Sequence, residues 1–457
     1  MAAFGAPTSP SPISWRNLAA APFAACLALA AGIWIARDPA VTGGVLVSFP
    51  VFAGAGWWLA GQGLEDAEDR RTARRIFALA LALRIPALFF VHASVDPNVL
   101  APDQIQYDKY SMLLLDYWEG RAAFPSLLIP AGRTLYFGIC ASFYWLFGQS
   151  PIGPKLLNAA AGSLAAAFLY RIARHLDGSR RAARLAGALA ALMPSLILWS
   201  VLQIRDALAL LGLTLLFEAY TRFQKRPALG QALAAIFALW LVVELRDYLI
   251  YPLGAALLGG FLAGSGRRME GRRALAAIAL FALAVIGAGL SGYSQTFLQD
   301  MSLERLEQQR ESLAYGGSAF GMEADISSPT GALAHLPLGL VYFLLGPFPW
   351  QIGSIRLVMA LPEMLLWYAL LPFVATGAAS LWRRQGLRLF ALAGFLASTT
   401  LMYSLVEGNL GTAFRHRAQL LVIFLLFAGE GLSEFLERRA KRHKGAWAAP
   451  PAAEETA

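Results

Sequence analysis

Asp103, Tyr107 and Ser111 follow one another at steps of four inside a polar, acid-rich stretch, Ser94 to Arg133, that interrupts long apolar runs. That spacing puts the three on one face of a helix, with the carboxylate at its start. The stretch carries five acidic residues, Asp96, Asp103, Asp108, Asp116 and Glu119, against three basic ones, Lys109, Arg121 and Arg133. A carboxylate placed there can take the proton of an attacking hydroxyl, which is a poor nucleophile at neutral pH. Other charged and polar residues stand where further apolar runs begin or end: Lys155 and Asn158, Arg205 and Asp206, Arg246 and Asp247, then Glu407, Asn409, Arg415 and Arg417. Charges at the border of hydrocarbon cost free energy unless paired or solvated, so such a gathering predicts a polar crevice. Guanidinium groups and carboxylates facing the same water suit a phosphate-bearing lipid whose head is attacked by a nucleophile.

Positioning these residues falls to elements that live in lipid. The 457 residues are 57% hydrophobic and 15% charged, with a mean hydropathy of +0.53, a composition that excludes an ordinary soluble enzyme and predicts an all-α, polytopic membrane protein. The formal charge of +9 is no footprint for nucleic acid, because the basic residues gather in short loops. Arg16 and the loops at 62–75, 171–184, 222–226, 267–273, 383–388 and 438–444 together hold 25 of the 38 Lys and Arg residues, which assigns them to the inside. About twelve crossings follow, near 17–36, 42–61, 75–93, 152–172, 183–203, 206–222, 229–245, 248–264, 272–292, 363–382, 388–406 and 418–436.

The three apolar segments between the inside loops 62–75 and 171–184 cannot all cross, since an odd number does not return the chain to one side. Segment 134–148 is the one to lie along the surface, being short and rich in Tyr and Trp. Segment 336–351 is likewise no span but a re-entrant or surface segment, because its apolar part is short and Pro347 and Pro349 break it. The predicted organisation is a cytoplasmic tail (1–16), one helical transmembrane domain (17–439) with outer loops 94–151 and 293–335, and a second cytoplasmic tail (440–457). With only Cys26 and Cys140 present, disulfides play no part. Residues 302–331 read as a charged helix followed by a stretch with Gly316, Gly317 and Gly321, either a lid over an acceptor or a plain solvated loop.

The segment PDQIQYDKYSMLLLDYWEG resembles the first outer loop of GT-C glycosyltransferases, integral membrane enzymes that take a sugar from a polyprenyl-phosphate carrier. In the branch of protein O-mannosyltransferases and the lipid A aminoarabinose transferase, the loop has an Asp, a Tyr four residues later, a small residue after four more, and a closing Gly. Asp103, Tyr107, Ser111 and Gly120 match those places. The resemblance extends over about 75–225, where an Asp opening a span corresponds to Asp206, and continues loosely in LRDY, GPFPW and NLGTAFRHR, which are similar to segments of bacterial polysaccharide-pathway members. Two departures stand out: Gln104, not a second acid, follows Asp103, and only PAGRT, with Arg133, stands near the family's basic residue with paired prolines.

The resemblance implies a GT-C fold and an inverting transfer to a hydroxyl acceptor, a glycan, lipid or protein, on the extracytoplasmic face of a bacterial-type inner membrane. Asp103 is then the general base, Tyr107, Asp108 and Asp206 support it, and Lys155, Arg205, Arg246, Arg415 and Arg417 are the candidates for the donor phosphate. No cofactor is required, although Asp103 and Asp206 together could hold a divalent cation; no His or Cys spacing suits a metal. Plainer roles exist for each: Asp103 as a solvated loop carboxylate, Asp206 as a helix cap, the arginines as interfacial anchors. Arg84, central in its span, needs a partner or water. A polysaccharide polymerase or ligase and a lipid-linked sugar flippase are the alternatives, the latter expected to show inverted repeats.

Overall fold

The computed structural model describes residues 32, 39–124, 134–264, 302–314, 318–321, 324–351 and 355–446. In chain order the helices are α1 (Pro39–Ala60), α2 (Ala67–Ser94), α3 (Pro97–Leu100), α4 (Asp103–Trp118), α5 (Thr134–Phe147), α6 (Ile152–His175), α7 (Arg180–Leu192) and α8 (Pro194–Ser200). There follow α9 (Asp206–Lys225), α10 (Leu229–Leu245), α11 (Ile250–Gly264), α12 (Leu303–Leu313), α13 (Pro329–Leu345), α14 (Ile355–Gln385), α15 (Phe390–Val406) and α16 (Leu410–Ala446). Among the described residues the only extended pairing is an isolated bridge between Ala319 and Asn409. The chain is an all-α membrane protein. Among the described residues five helical segments are long and apolar enough to cross a bilayer, Val41–Ala60, Ala67–Ser94, Ile152–His175, Leu357–Val406 and Leu410–Arg442, and the bent pair α7 and α8 makes six if it is one span.

That count is lower than twelve for identifiable reasons. Apart from residue 32, the stretches expected to cross at 17–36 and 272–292 lie outside the described residues. Helix α10 has 17 residues, about 26 Å of rise and short of a ~30 Å core, and α11 is described only as far as Gly264. The segment Leu357–Val406, by contrast, is 50 residues long and is divided by a 3-10 turn at Gly386–Leu389, where Gly386 has φ 53°. Helices α5 and α13, the two segments predicted to lie along the surface, have 14 and 17 residues. Helix α13 starts earlier than the sequence suggests, at Pro329 behind the cap Ser328, and stops before Gly346 and Pro347. The predicted charged helix after 302 is α12, capped by Ser302 on the Arg305 amide.

Helix α6 is the axis of the bundle. Its run from Ala159 to Ala167, Ala, Gly and Ser apart from Leu164, is buried throughout, and small residues let neighbouring backbones come close where lipid offers no hydrophobic drive. Gly162 illustrates this, since a Cβ there would stand 2.6 Å from Ser200 Cβ. Polar contacts mark both ends of α6. At one end Asn158 and Lys155 are buried; at the other Arg171 meets Glu218 at 2.5 Å and Arg174 meets Asp69 at 3.0 Å. Lys155 and Arg174 are about 28 Å apart along the axis at ~1.5 Å per residue, close to the thickness of hydrocarbon.

Candidate functional site

Helix α4 begins at Asp103 directly after Pro102, so the carboxylate projects from a free helix end. Tyr107, one turn on, packs edge-on against Tyr136 at 5.1 Å and on Phe137 at 5.4 Å. Ser111 is buried and donates from Oγ to the Tyr107 carbonyl at 2.6 Å. The shared face read from the four-residue spacing is therefore the face that docks on α5, and it fixes the direction in which Asp103 points.

Asp103 Oδ2 accepts from Arg415 Nη1 at 2.7 Å, across 312 residues of chain. The same guanidinium grips Asp206 through Nη2 at 2.7 Å and Nε at 3.2 Å, the two-pronged geometry that makes Arg the strong partner of a carboxylate. Asp206 also accepts from Arg246 Nη2 at 2.6 Å. It sits in the first turn of α9, yet it caps no amide; its acceptors are spent on two arginines. The two carboxylates differ in environment, the Asp103 side chain being 49% exposed and that of Asp206 7%. Trp199 lies beneath the Arg415 guanidinium, 5.7 Å from the ring centre, and a cavity walled by Leu196, Trp199, Leu210 and Ala418 reaches Asp206 and Arg415 from behind.

Arg246 extends the network. Its Nη1 lies 3.3 Å from His416 Nε2 and 3.2 Å from the Tyr248 hydroxyl. Because Arg can only donate, His416 Nε2 accepts, and the hydrogen on Nδ1 points to the buried Glu407, which also receives Thr412 Oγ1 at 2.6 Å. Tyr403 stacks on the imidazole at 4.9 Å and donates to Gln419 at 2.9 Å. Burial works against the Arg246 cation, but the Asp206 carboxylate beside it holds it protonated well above the usual arginine range. Burial likewise raises the Tyr107 phenol, against the pull of Arg205, Arg246 and Arg415, which places Arg205 within electrostatic reach of this cluster.

Asp103, Asp206, Arg246 and Arg415 are thus brought together, with Tyr107 and Arg205 beside them. Other nominated residues stand apart. Lys155 is buried with its ammonium 3.4 Å from His92 Nδ1. Asp108 accepts from the Tyr144 hydroxyl at 2.6 Å. Arg417 is turned to the other side of α16, where its Nη1 donates to the carbonyls of Phe343, Leu344 and Gly346 at 3.2, 3.0 and 2.7 Å, capping the end of α13. Asn158 donates to the carbonyls of Leu202 and Ile204 at 2.7 and 2.8 Å, a clamp on the chain that leads into Asp206. Arg133 and the glycines 316 and 317 lie outside the described residues.

A guanidinium spans the two carboxylates proposed as cation ligands, and among the described residues no group of three or more His, Cys, Asp or Glu is placed to hold a metal ion. The pairing of Glu407 with His416, and the Tyr403 and Gln419 contacts behind it, were not foreseen from sequence. Their only signal is that Glu407 stands just before the helix that carries His416 in its second turn, close enough in sequence for the two side chains to meet. No family model matches the chain, and no curated protein matches it.

Proposed function

We propose that the chain is a membrane glycosyltransferase of the GT-C type, with about twelve crossings, acting on a polyprenyl-phosphate sugar at the extracytoplasmic face. The single observation that carries the reading is the unequal sharing of Arg415, held from below by the buried Asp206 and from above by the half-exposed Asp103. An incoming phosphate is an anion that can take the Asp103 place on Arg415, while Asp206 keeps the guanidinium aimed. Displaced from its ion pair, the Asp103 carboxylate has a free oxygen beside the reacting centre. The acceptor hydroxyl then attacks the anomeric carbon, its proton passes to Asp103, the bond from that carbon to the phosphate oxygen breaks, and polyprenyl phosphate leaves with its charge on Arg415. Attack opposite the leaving group inverts the anomeric centre, as in inverting glycosidases.

The test uses the purified full chain with a panel of radiolabelled polyprenyl-phosphate sugars and membrane extract as the source of acceptor. Free carrier and labelled product are expected, with Asp103→Asn losing at least about 100-fold in turnover, the scale of general-base catalysis. Absence of turnover with every donor, or an Asp103→Asn variant as active as the parent, would overturn the reading.

A further inference from the structure

Pro194 ends α7 and starts α8, and the two meet at a bend of 54°. A proline has no N–H to give and holds the residue before it out of the helical region; Met193 accordingly has ψ 119°. The break strands carbonyls at the end of α7 and amides at the start of α8, both among apolar helices. Two charged side chains from elsewhere meet them. Arg84 of α2, 0% exposed, donates to Ala191 O at 3.3 Å, Leu196 O at 3.2 Å and Ser200 Oγ at 2.8 Å, with its own Ala80 O at 3.1 Å. Glu363 of α14, 2% exposed, accepts from the Ser195 amide and, at 2.7 Å, from Ser195 Oγ.

From this geometry we infer that Arg84 and Glu363 are positioning residues, which fix the half-helix α8 so that the irregular segment after it delivers Asp206 beneath Arg415. Only five residues, 201–205, separate α8 from Asp206. They are tethered as well, by Asn158 at Leu202 and Ile204 and by Gln104 Oε1 on the Gln203 amide at 3.1 Å. With α8 released, the slack reaches the carboxylate that orients Arg415; a displacement of about 1 Å in a catalytic group can cost on the order of 100-fold in rate. Arg84 serves this role through its fork of donors. A lysine ammonium in its place cannot meet Ala191, Leu196 and Ser200 together.

Hydrogen exchange on the full chain in lipid nanodiscs, read by mass spectrometry without substrate, tests the clamp. Glu363→Ala and Arg84→Lys are expected to raise exchange of the amides between 195 and 206 by about tenfold or more, with α6 and the second half of α9 as protected as in the parent. Glu363→Gln is the rescue, because its Oε1 accepts from the Ser195 amide and its Nε2 donates to Ser195 Oγ. Ser195→Ala removes one of the two contacts and serves where Glu363→Ala does not fold, with a smaller rise in the same segment. Unchanged exchange at 195–206, a rise spread evenly over the bundle, or failure of Glu363→Gln to restore protection overturns the positioning role. The consequence for turnover rests on the transferase reading, and a parent chain without transfer activity would refute that reading while leaving the exchange result to decide the clamp by itself. Given transfer, Glu363→Ala lowers kcat by at least about tenfold and Glu363→Gln recovers it.

Discussion

Removing the charge from Asp206 and from Asp103 separates what is buried for stability from what is exposed for chemistry, although both carboxylates bind the same arginine. Asp206→Asn takes the acceptor away from Arg415 Nη2 and Nε and from Arg246 Nη2. It puts an amide N–H₂ where one of those donors points, leaves Arg246 without its charge partner and leaves Arg415 with only the half-exposed Asp103, in a site that is 7% exposed at the Asp206 carboxylate. Breaking a buried ion pair in this way costs about 3–5 kcal/mol. Asp103→Asn removes a single contact from a side chain that is 49% exposed, and an exposed pair is worth about 0–1 kcal/mol. Unfolding in mixed micelles with a denaturing detergent, followed by tryptophan fluorescence, gives both differences on one scale. Asp206→Asn is expected to fall below Asp103→Asn by at least about 2 kcal/mol, the gap between those two ranges. Transfer activity should reverse the emphasis, with Asp103→Asn inactive while fully folded. Equal destabilisation by the two changes would refute the assignment of Asp206 as the buried anchor and Asp103 as the displaceable partner.

Arg417→Met, which takes the donor from Gly346 O and leaves Leu344 O with the Trp367 indole N–H, is expected to loosen the end of α13 in hydrogen exchange and to cost about 1–3 kcal/mol. Arg415→Met should leave α13 as protected as in the parent and remove transfer. His416→Phe keeps the stack on Tyr403 but leaves Glu407 with Thr412 as its remaining side-chain partner; a loss of about 1–3 kcal/mol in the same unfolding assay is expected. Gly162→Ala drives a Cβ to 2.6 Å from Ser200 Cβ and 3.1 Å from Arg84 Nε, and overpacking of this kind costs about 1–3 kcal/mol, measurable as earlier unfolding.

Composition and four-residue spacing were enough to read the helical class and the aim of Asp103, because both depend on local pattern alone. The ion pairs were not readable, since Arg415 meets Asp103 and Asp206 over separations of 312 and 209 residues, and nothing in a single chain distinguishes one arginine at a helix end from another. Arg415 and Arg417 make the point. Two residues apart, they are turned by about 200° around a helix, so one reaches the carboxylates and the other reaches the carbonyls of α13. Lys155 fails to join the cluster for a similar reason, being drawn to His92 on the far side of its own helix end. The number of crossings depended on whether runs of 14 to 17 residues span or stop, and hydropathy is least decisive at that length.

Four helical elements that start or end near one level, α4, α9, α10 and α16, each bring one charge to the cluster, and the order of burial among them sets its response to a ligand. Asp206 cannot leave, because its departure strands Arg246 and leaves Arg415 to Asp103 alone; Arg246 cannot leave, because His416 Nε2 and Asp206 both require its donors. Asp103 alone faces water, and water can satisfy its oxygens when the ion pair opens. An anion of phosphate geometry offers Arg415 equivalent acceptors, so exchange at the rim is open only to the outer carboxylate. In the proposed transferase, the same exchange would supply the donor phosphate with a cation and free the base, tying donor binding to activation of the acceptor through one guanidinium.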